Sequence, residues 1–269
     1  MSEQVSRRAA VTALLLLAFA PASAPGIPAL PPELRGLWPG GPTIVSHGRR
    51  SVVVGHGAGS LGELADRADR AGLRVSQVLG RPVRALIVVP ESAGEAARLA
   101  RADRLDGLAA LADGGRVIVV PETFATLTST GKDVVLTHEL THVAAGTDHL
   151  PVWLYEGFAD YVGYRDAGLP LASAAAELAA EIQAGRLPSA LPGPEAFVAD
   201  GRDPGRLARA YQEAWLACRF LADRFGEGTL VRLYREAQVA GVEKALASLG
   251  LSVATLTERW RAYVRDRLV

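Results

Sequence analysis

The segment His138-Glu139-Leu140-Thr141-His142 constrains this chain more than any other feature. On a helix, residues four positions apart lie on one face, so both imidazole rings can reach the same ion. A glutamate beside the first histidine completes a pattern typical of zinc hydrolases, in which the histidines bind the metal and the glutamate is the general base. Thr130-Gly131-Lys132-Asp133 predicts the start of such a helix and Gly146 its end. The pentapeptide also occurs by chance on amphipathic helices, so the assignment needs a further ligand.

A second predicted helix follows at residues 151–161, where Pro151 suits the first turn. It carries Glu156 among apolar neighbours, and a carboxylate in such surroundings needs a partner. Glu156 is therefore the candidate third ligand, leaving the fourth position of a tetrahedral zinc site for water. Asp160 lies one turn further on the same face, where it can accept the spare ring N–H of a ligating histidine.

These two motifs resemble the gluzincin superfamily of metallopeptidases, particularly its small bacterial peptidase MA-like branch. The quoted residues are His138 to His142 and the stretch Trp153-Leu154-Tyr155-Glu156-Gly157-Phe158-Ala159. The resemblance covers roughly residues 40–265, with strong metal motifs and a more diffuse remainder. The Glu156 and Asp160 pair also resembles thermolysin. The interval between His142 and Glu156 is shorter than in thermolysin or the large aminopeptidases, which implies a compact loop.

The resemblance implies two further assignments. Tyr211 is similar to the tyrosine that gluzincins carry on a later helix, which implies a role in binding the oxyanion; core packing beside Trp215 is the alternative. The strand at residues 116–120 corresponds to the sheet edge that pairs with an extended substrate by β-augmentation. Residues 121–124 do not match the amine-binding motif of the large aminopeptidases. Specificity for a free amino terminus therefore has no support in the sequence.

The N-terminal residues have the three parts of a secretory signal. Arg7 and Arg8 precede an apolar stretch at residues 9–20, and small residues follow up to Ala24. Because Pro25 disfavours cleavage after Ala24, a cleaved signal and an uncleaved anchor both remain open. We expect an extracytoplasmic protein, secreted or membrane-anchored, with a Pro/Gly-rich spacer at residues 25–42.

Composition limits the partners that can be expected. The chain has 269 residues, of which 29 are basic and 29 acidic, so the net charge gives no reason to expect nucleic acid. Contact with a membrane is expected only through the N-terminal segment, and the oligomeric state stays open.

The single cysteine, Cys218, has apolar neighbours that predict a buried thiol rather than a nucleophile. A glycine-rich turn at residues 55–60 lacks the third glycine of the dinucleotide-binding pattern, since position 60 is Ser60.

The sequence thus predicts an α+β fold, which the resemblance specifies as zincin-like. An N-terminal α/β lobe at residues 43–146 would hold a small sheet and the zinc helix, and a helical lobe would occupy residues 147–269. The predicted function is zinc-dependent hydrolysis of peptide bonds in peptide or protein substrates. Two alternatives stay open: a non-catalytic binding or structural module on this scaffold, and a zinc hydrolase of non-peptide substrates.

Overall fold

The computed structural model describes residues 43–56, 61–105, 107–198, 203 and 205–269. Within these ranges the chain forms two compact units, one up to Ala145 and one from Gly146 to Val269. The fold is mixed α/β with a small five-stranded mixed sheet. The predicted signal at residues 1–24 and the spacer at 25–42 lie outside the described residues. Among the described helices, none is both long enough and apolar enough to cross a membrane.

The sheet belongs to the first unit and has the order β1-β2-β3-β5-β4. Its three central strands run parallel, whereas each outer strand is antiparallel to its neighbour. The central strands are apolar along almost their whole length, as expected for strands that are covered on both faces. Strand β3, with the sequence Ala-Leu-Ile-Val-Val, is an example, and its first four residues are buried. The strands are β1 (Thr43–His47), β2 (Ser51–His56), β3 (Ala85–Val89), β4 (Ala110–Asp113) and β5 (Arg116–Val119).

Four helices accompany this sheet: α1 (Leu61–Leu79), α2 (Ala93–Ala100), α3 (Pro121–Ala125) and α4 (Ser129–Ala145). Helix α4 carries the histidine motif and packs on α1, β4 and β5. The helices α1 and α4 are in contact at Gly72, where an added Cβ would lie at an ordinary van der Waals distance of 3.8 Å from the Leu140 side chain. Residues 134–142 are all buried, including the polar residues Thr137, His138, Glu139, Thr141 and His142.

The second unit is helical. Its longest helix, α8, packs closely on α5 and also contacts α7, α9 and α11. The helices are α5 (Val152–Tyr164), α6 (Leu171–Ala174), α7 (Ala176–Gln183), α8 (Arg206–Phe225), α9 (Glu227–Ala240), α10 (Val242–Ala247) and α11 (Val253–Leu268), with a short 3₁₀ helix at Pro194–Phe197.

The structure corrects two sequence-based expectations. The strand at Arg116–Val119 is not the sheet edge, because it pairs with β3 on one side and β4 on the other. The edge on that side is β4, a strand of four residues that the sequence pattern did not reveal. The sequence pattern also predicts one continuous helix at residues 172–184, but the structure divides it at Ala175, whose φ of −116° and ψ of 39° are not helical.

Candidate metal centre

Helix α4 places two imidazole rings side by side. The Nε2 atoms of His138 and His142 are 3.0 Å apart, and the rings are nearly perpendicular at 85°. Two nitrogens that each lie about 2.0 to 2.1 Å from one zinc ion must be within about 4.2 Å of each other. The observed separation satisfies that condition. The side chains are also buried, since His138 is 7% and His142 is 9% exposed.

Glu156 completes the group. Its carboxylate lies with the two imidazoles so that one ligand atom from each residue is within 4.8 Å of the others. Glu156 is only 3% exposed, and a buried carboxylate is costly unless it is paired or binds a metal. Two imidazole nitrogens and one carboxylate oxygen are donors that suit zinc and other divalent transition metals. The His138, His142 and Glu156 group could therefore hold a metal ion, and we call it the metal group.

The backbone that carries Glu156 is fixed by a close helix contact. An added Cβ at Gly157 would lie 2.2 Å from the carbonyl oxygen of Ala214 and 3.0 Å from the Sγ atom of Cys218. Only glycine permits α5 and α8 to approach this closely, although glycine inside a helix is otherwise unfavourable. The Cys218 thiol donates to the Leu154 carbonyl at 3.7 Å, which adds a second link between the helices.

Glu139 and Asp160 are the remaining acidic candidates on the two ligand-bearing helices. Glu139 directly follows His138 and is 6% exposed. Asp160 lies one turn after Glu156 and is 7% exposed. Both side chains are therefore buried on the helices that carry the candidate ligands.

Cys218 is fully buried, as its apolar neighbours predicted. Burial, together with the charge of nearby Asp160, raises the pKa of the Cys218 thiol well above its ordinary value. The thiol therefore stays protonated at neutral pH, which is unsuitable for a nucleophile.

Tyr211 lies in the first half of α8 and is 9% exposed. Its ring packs edge-to-face on Phe197, with 5.0 Å between the ring centroids and an interplanar angle of 82°. The ring of Trp215, beside which core packing was the alternative, contacts Tyr164. The contact with Phe197 involves the ring of Tyr211 and not the hydroxyl group. Tyr211→Phe keeps the ring and removes the hydroxyl group, so this variant tests the role of the hydroxyl group.

Tyr155 was not a candidate from the sequence, although it directly precedes Glu156. Burial and the charge of Glu156 raise the pKa of Tyr155 to about 12. The phenol therefore remains a hydrogen-bond donor at neutral pH. The sequence shows that Tyr155 is next to a candidate ligand. It does not show that Tyr155 is partly buried.

Two arginines hold the histidine helix at its ends. Near the N-terminus, Arg67 Nη1 donates to Asp133 Oδ1 at 2.6 Å and to the Ser129 carbonyl at 3.1 Å. Near the C-terminus, Arg81 donates to the carbonyl of Ala144. Arg67 belongs to α1 and Arg81 lies two residues after its end, so α1 and the turn that follows it contact both ends of α4. These contacts join residues more than 60 positions apart, so local sequence patterns could not reveal them.

Comparison with known proteins adds no family assignment. A scan against protein-family models gave no match, and a search of curated proteins also gave no match.

Proposed function

We propose that this protein is a zinc-dependent hydrolase that cleaves peptide bonds. The observation that carries the proposal is the buried metal group, in which three ligand atoms lie within 4.8 Å of one another. Two histidines and a glutamate are a known ligand set of catalytic zinc sites, which keep one position open for water. The resemblance of the two sequence motifs to gluzincins also supports the proposal.

The chemistry that zinc supplies at such a site is a water of lowered pKa, about 7, and polarisation of a carbonyl oxygen. Glu139 would accept a proton from the attacking water and deliver it to the leaving amine. Asp160 would accept the second ring N–H of a ligating histidine and so fix the orientation of that ring. The Tyr211 hydroxyl would donate a hydrogen bond to the oxygen that becomes negatively charged.

Strand β4 is the surface on which we propose that an extended peptide binds. It pairs with β5 along one side and is the last strand of the described sheet in that direction. It also packs against α4, the helix that carries both histidines and Glu139. A peptide that adds to this edge would form backbone hydrogen bonds beside the proposed catalytic helix, which favours peptides over small esters as substrates. This role replaces the one that the sequence suggested for β5.

We also propose an extracytoplasmic location for this activity. The support is the basic and apolar pattern of residues 7–24, which is typical of export signals.

A peptide-library digestion read by mass spectrometry tests the proposed activity. The purified full chain, loaded with zinc, should cleave peptides. Ortho-phenanthroline should abolish cleavage, whereas its non-chelating meta isomer should not. Glu139→Gln should keep the zinc and lose turnover because the amide cannot accept the proton. Glu243→Gln is the matched control, since Glu243 is an exposed helical glutamate in α10.

The outcomes separate the alternatives. Zinc binding without cleavage of any peptide would favour a non-catalytic module, and cleavage restricted to non-peptide esters or amides would favour the other hydrolase class. Cleavage that is insensitive to the chelator would contradict the role of the metal. Full activity of Glu139→Gln would place the proton transfer on another group.

A further inference from the structure

Tyr234 is a buried tyrosine of α9 that makes two separate contacts. Its hydroxyl group donates a hydrogen bond of 2.5 Å to the carbonyl oxygen of Gly146. Its ring stacks on Phe158 of α5, with 4.4 Å between the ring centroids. Only 2% of the residue is exposed. One side chain therefore connects the start of the loop at residues 146–151 with the helix that follows this loop.

That loop joins the helix of the two histidines to the helix of Glu156. It begins at Gly146, which has a φ of +72°, and it contains His149, a non-glycine residue with a φ of +59°. Residues other than glycine rarely adopt this left-handed conformation, so the loop holds a backbone that is unfavourable in isolation. Such a backbone persists when surrounding contacts stabilise the loop, and the Tyr234 hydrogen bond fixes the first residue of this loop.

We propose that Tyr234 is a positioning residue for the metal group, holding the loop in the conformation that allows Glu156 to join the two histidines. The inference rests on the proposed metal site but concerns a residue that does not belong to it. Phe158 lies two positions after Glu156 in α5, so the hydroxyl contact acts on the start of the loop and the ring contact acts on the helix that carries Glu156. Without the hydroxyl contact, the loop would populate conformations in which the third ligand is displaced.

The state of the hydroxyl group supports this role. Burial raises the pKa of Tyr234 well above its ordinary value, so the phenol remains protonated and keeps its capacity to donate. A carbonyl oxygen can only accept, which fixes the direction of the hydrogen bond.

The test is the zinc affinity of Tyr234→Phe, measured by competition with a chromogenic chelator at one fixed pH. Apparent affinity falls in proportion to the fraction of molecules in the binding-competent conformation. Loss of one buried hydrogen bond should therefore weaken zinc binding about 3- to 10-fold. Tyr263→Phe is the matched control, because it removes a hydroxyl group that donates to Asp223 within the same unit. Zinc affinity should be unchanged in that control.

A second variant addresses the loop without altering Tyr234. Gly146→Ala introduces a side chain at a left-handed residue, so it should also weaken zinc binding. Urea unfolding of the metal-free variants shows how much of any effect is general destabilisation. Wild-type zinc affinity in Tyr234→Phe would overturn the inference, whatever happens to stability. If the wild-type protein binds no zinc, the proposed function itself fails, and this result is distinct from the first.

Discussion

At the scale of single residues, the histidines of the described chain differ in their surroundings. His138 and His142 are buried with facing Nε2 atoms, whereas His149 is exposed in the loop that follows. We expect His138→Ala, His142→Ala and Glu156→Ala each to lose bound zinc, because two remaining ligands hold the metal poorly. His47→Ala, at an exposed position of β1, should retain it. Metal analysis of the purified variants is the measurement, and undiminished zinc in all three ligand variants would end the assignment.

Asp160 tests whether a carboxylate outside the ligand set supports it. The structure buries Asp160 one turn after Glu156, and the proposed role is to orient a ligating histidine. Asp160→Asn keeps the size of the side chain but weakens that interaction, so zinc affinity should fall about 10- to 100-fold. Competition with a chelator measures this change. Equal zinc affinity in the variant and the wild type would show that Asp160 does not orient a ligand.

Tyr211 tests the proposed oxyanion donor. Tyr211→Phe keeps the ring that packs on Phe197, so the fold should be preserved. Loss of a donor to the transition state typically costs about 2.7 to 4 kcal/mol, which should appear in kcat with little change in KM. Tyr263→Phe again provides the control. A normal kcat accompanied by a lower melting temperature would assign Tyr211 to packing alone.

At the scale of secondary-structure elements, the sequence predicted the long helices most accurately. The apolar periodicity predicts helices at residues 61–79, 206–225 and 253–268, and the bounds of α1, α8 and α11 agree with these predictions because each helix is long. Strand β4 was missed because four residues carry little periodic signal. The break at Ala175 was missed because neither glycine nor proline marks it.

The pairing of His138 and His142 was predictable because the two residues are one helical turn apart on the same helix. Their proximity depends only on local helix geometry. The supports of the site were not predictable in this way. The contact between Gly157 and Ala214 and the hydrogen bond between Tyr234 and Gly146 join distant parts of the chain. Their geometry depends on helix packing, which a single sequence does not specify residue by residue.

The helix contact at Gly157 leads to a prediction about α5 and α8. Gly157→Ala places a methyl group against the Ala214 carbonyl, and the helices must separate to accept it. Overpacking of this kind costs about 1 to 3 kcal/mol of stability. Gly228→Ala in α9 is the control, because an added Cβ there would come no closer than 3.9 Å to Arg232. The control should be neutral or about 0.5 to 1 kcal/mol more stable. Urea unfolding of both variants measures the difference, and equal stabilities would contradict the close approach.

At the scale of the whole molecule, one carboxyl group makes a distinct contribution to the dependence of stability on pH. Burial raises the pKa of Glu213 in α8 to about 7, although nearby Arg209 partly opposes this effect. The ordinary value is 4.5, so between these two pH values the folded protein binds more protons than the unfolded chain. Stability due to this group is therefore greatest below the ordinary pKa and decreases as pH rises through the folded-state pKa.

Glu213→Gln removes that titration while keeping the shape of the side chain. The variant should gain stability relative to the wild type as pH rises from about 4 to about 8, because the wild type must then ionise a partly buried carboxyl group. Chelator-treated protein should be unfolded with urea at both pH values, so that metal binding does not add its own pH dependence. Glu243→Gln, at an exposed position of α10, is the control for the loss of one negative charge. If Glu213→Gln and the control differ from the wild type by the same amount at both pH values, burial does not shift the titration of Glu213.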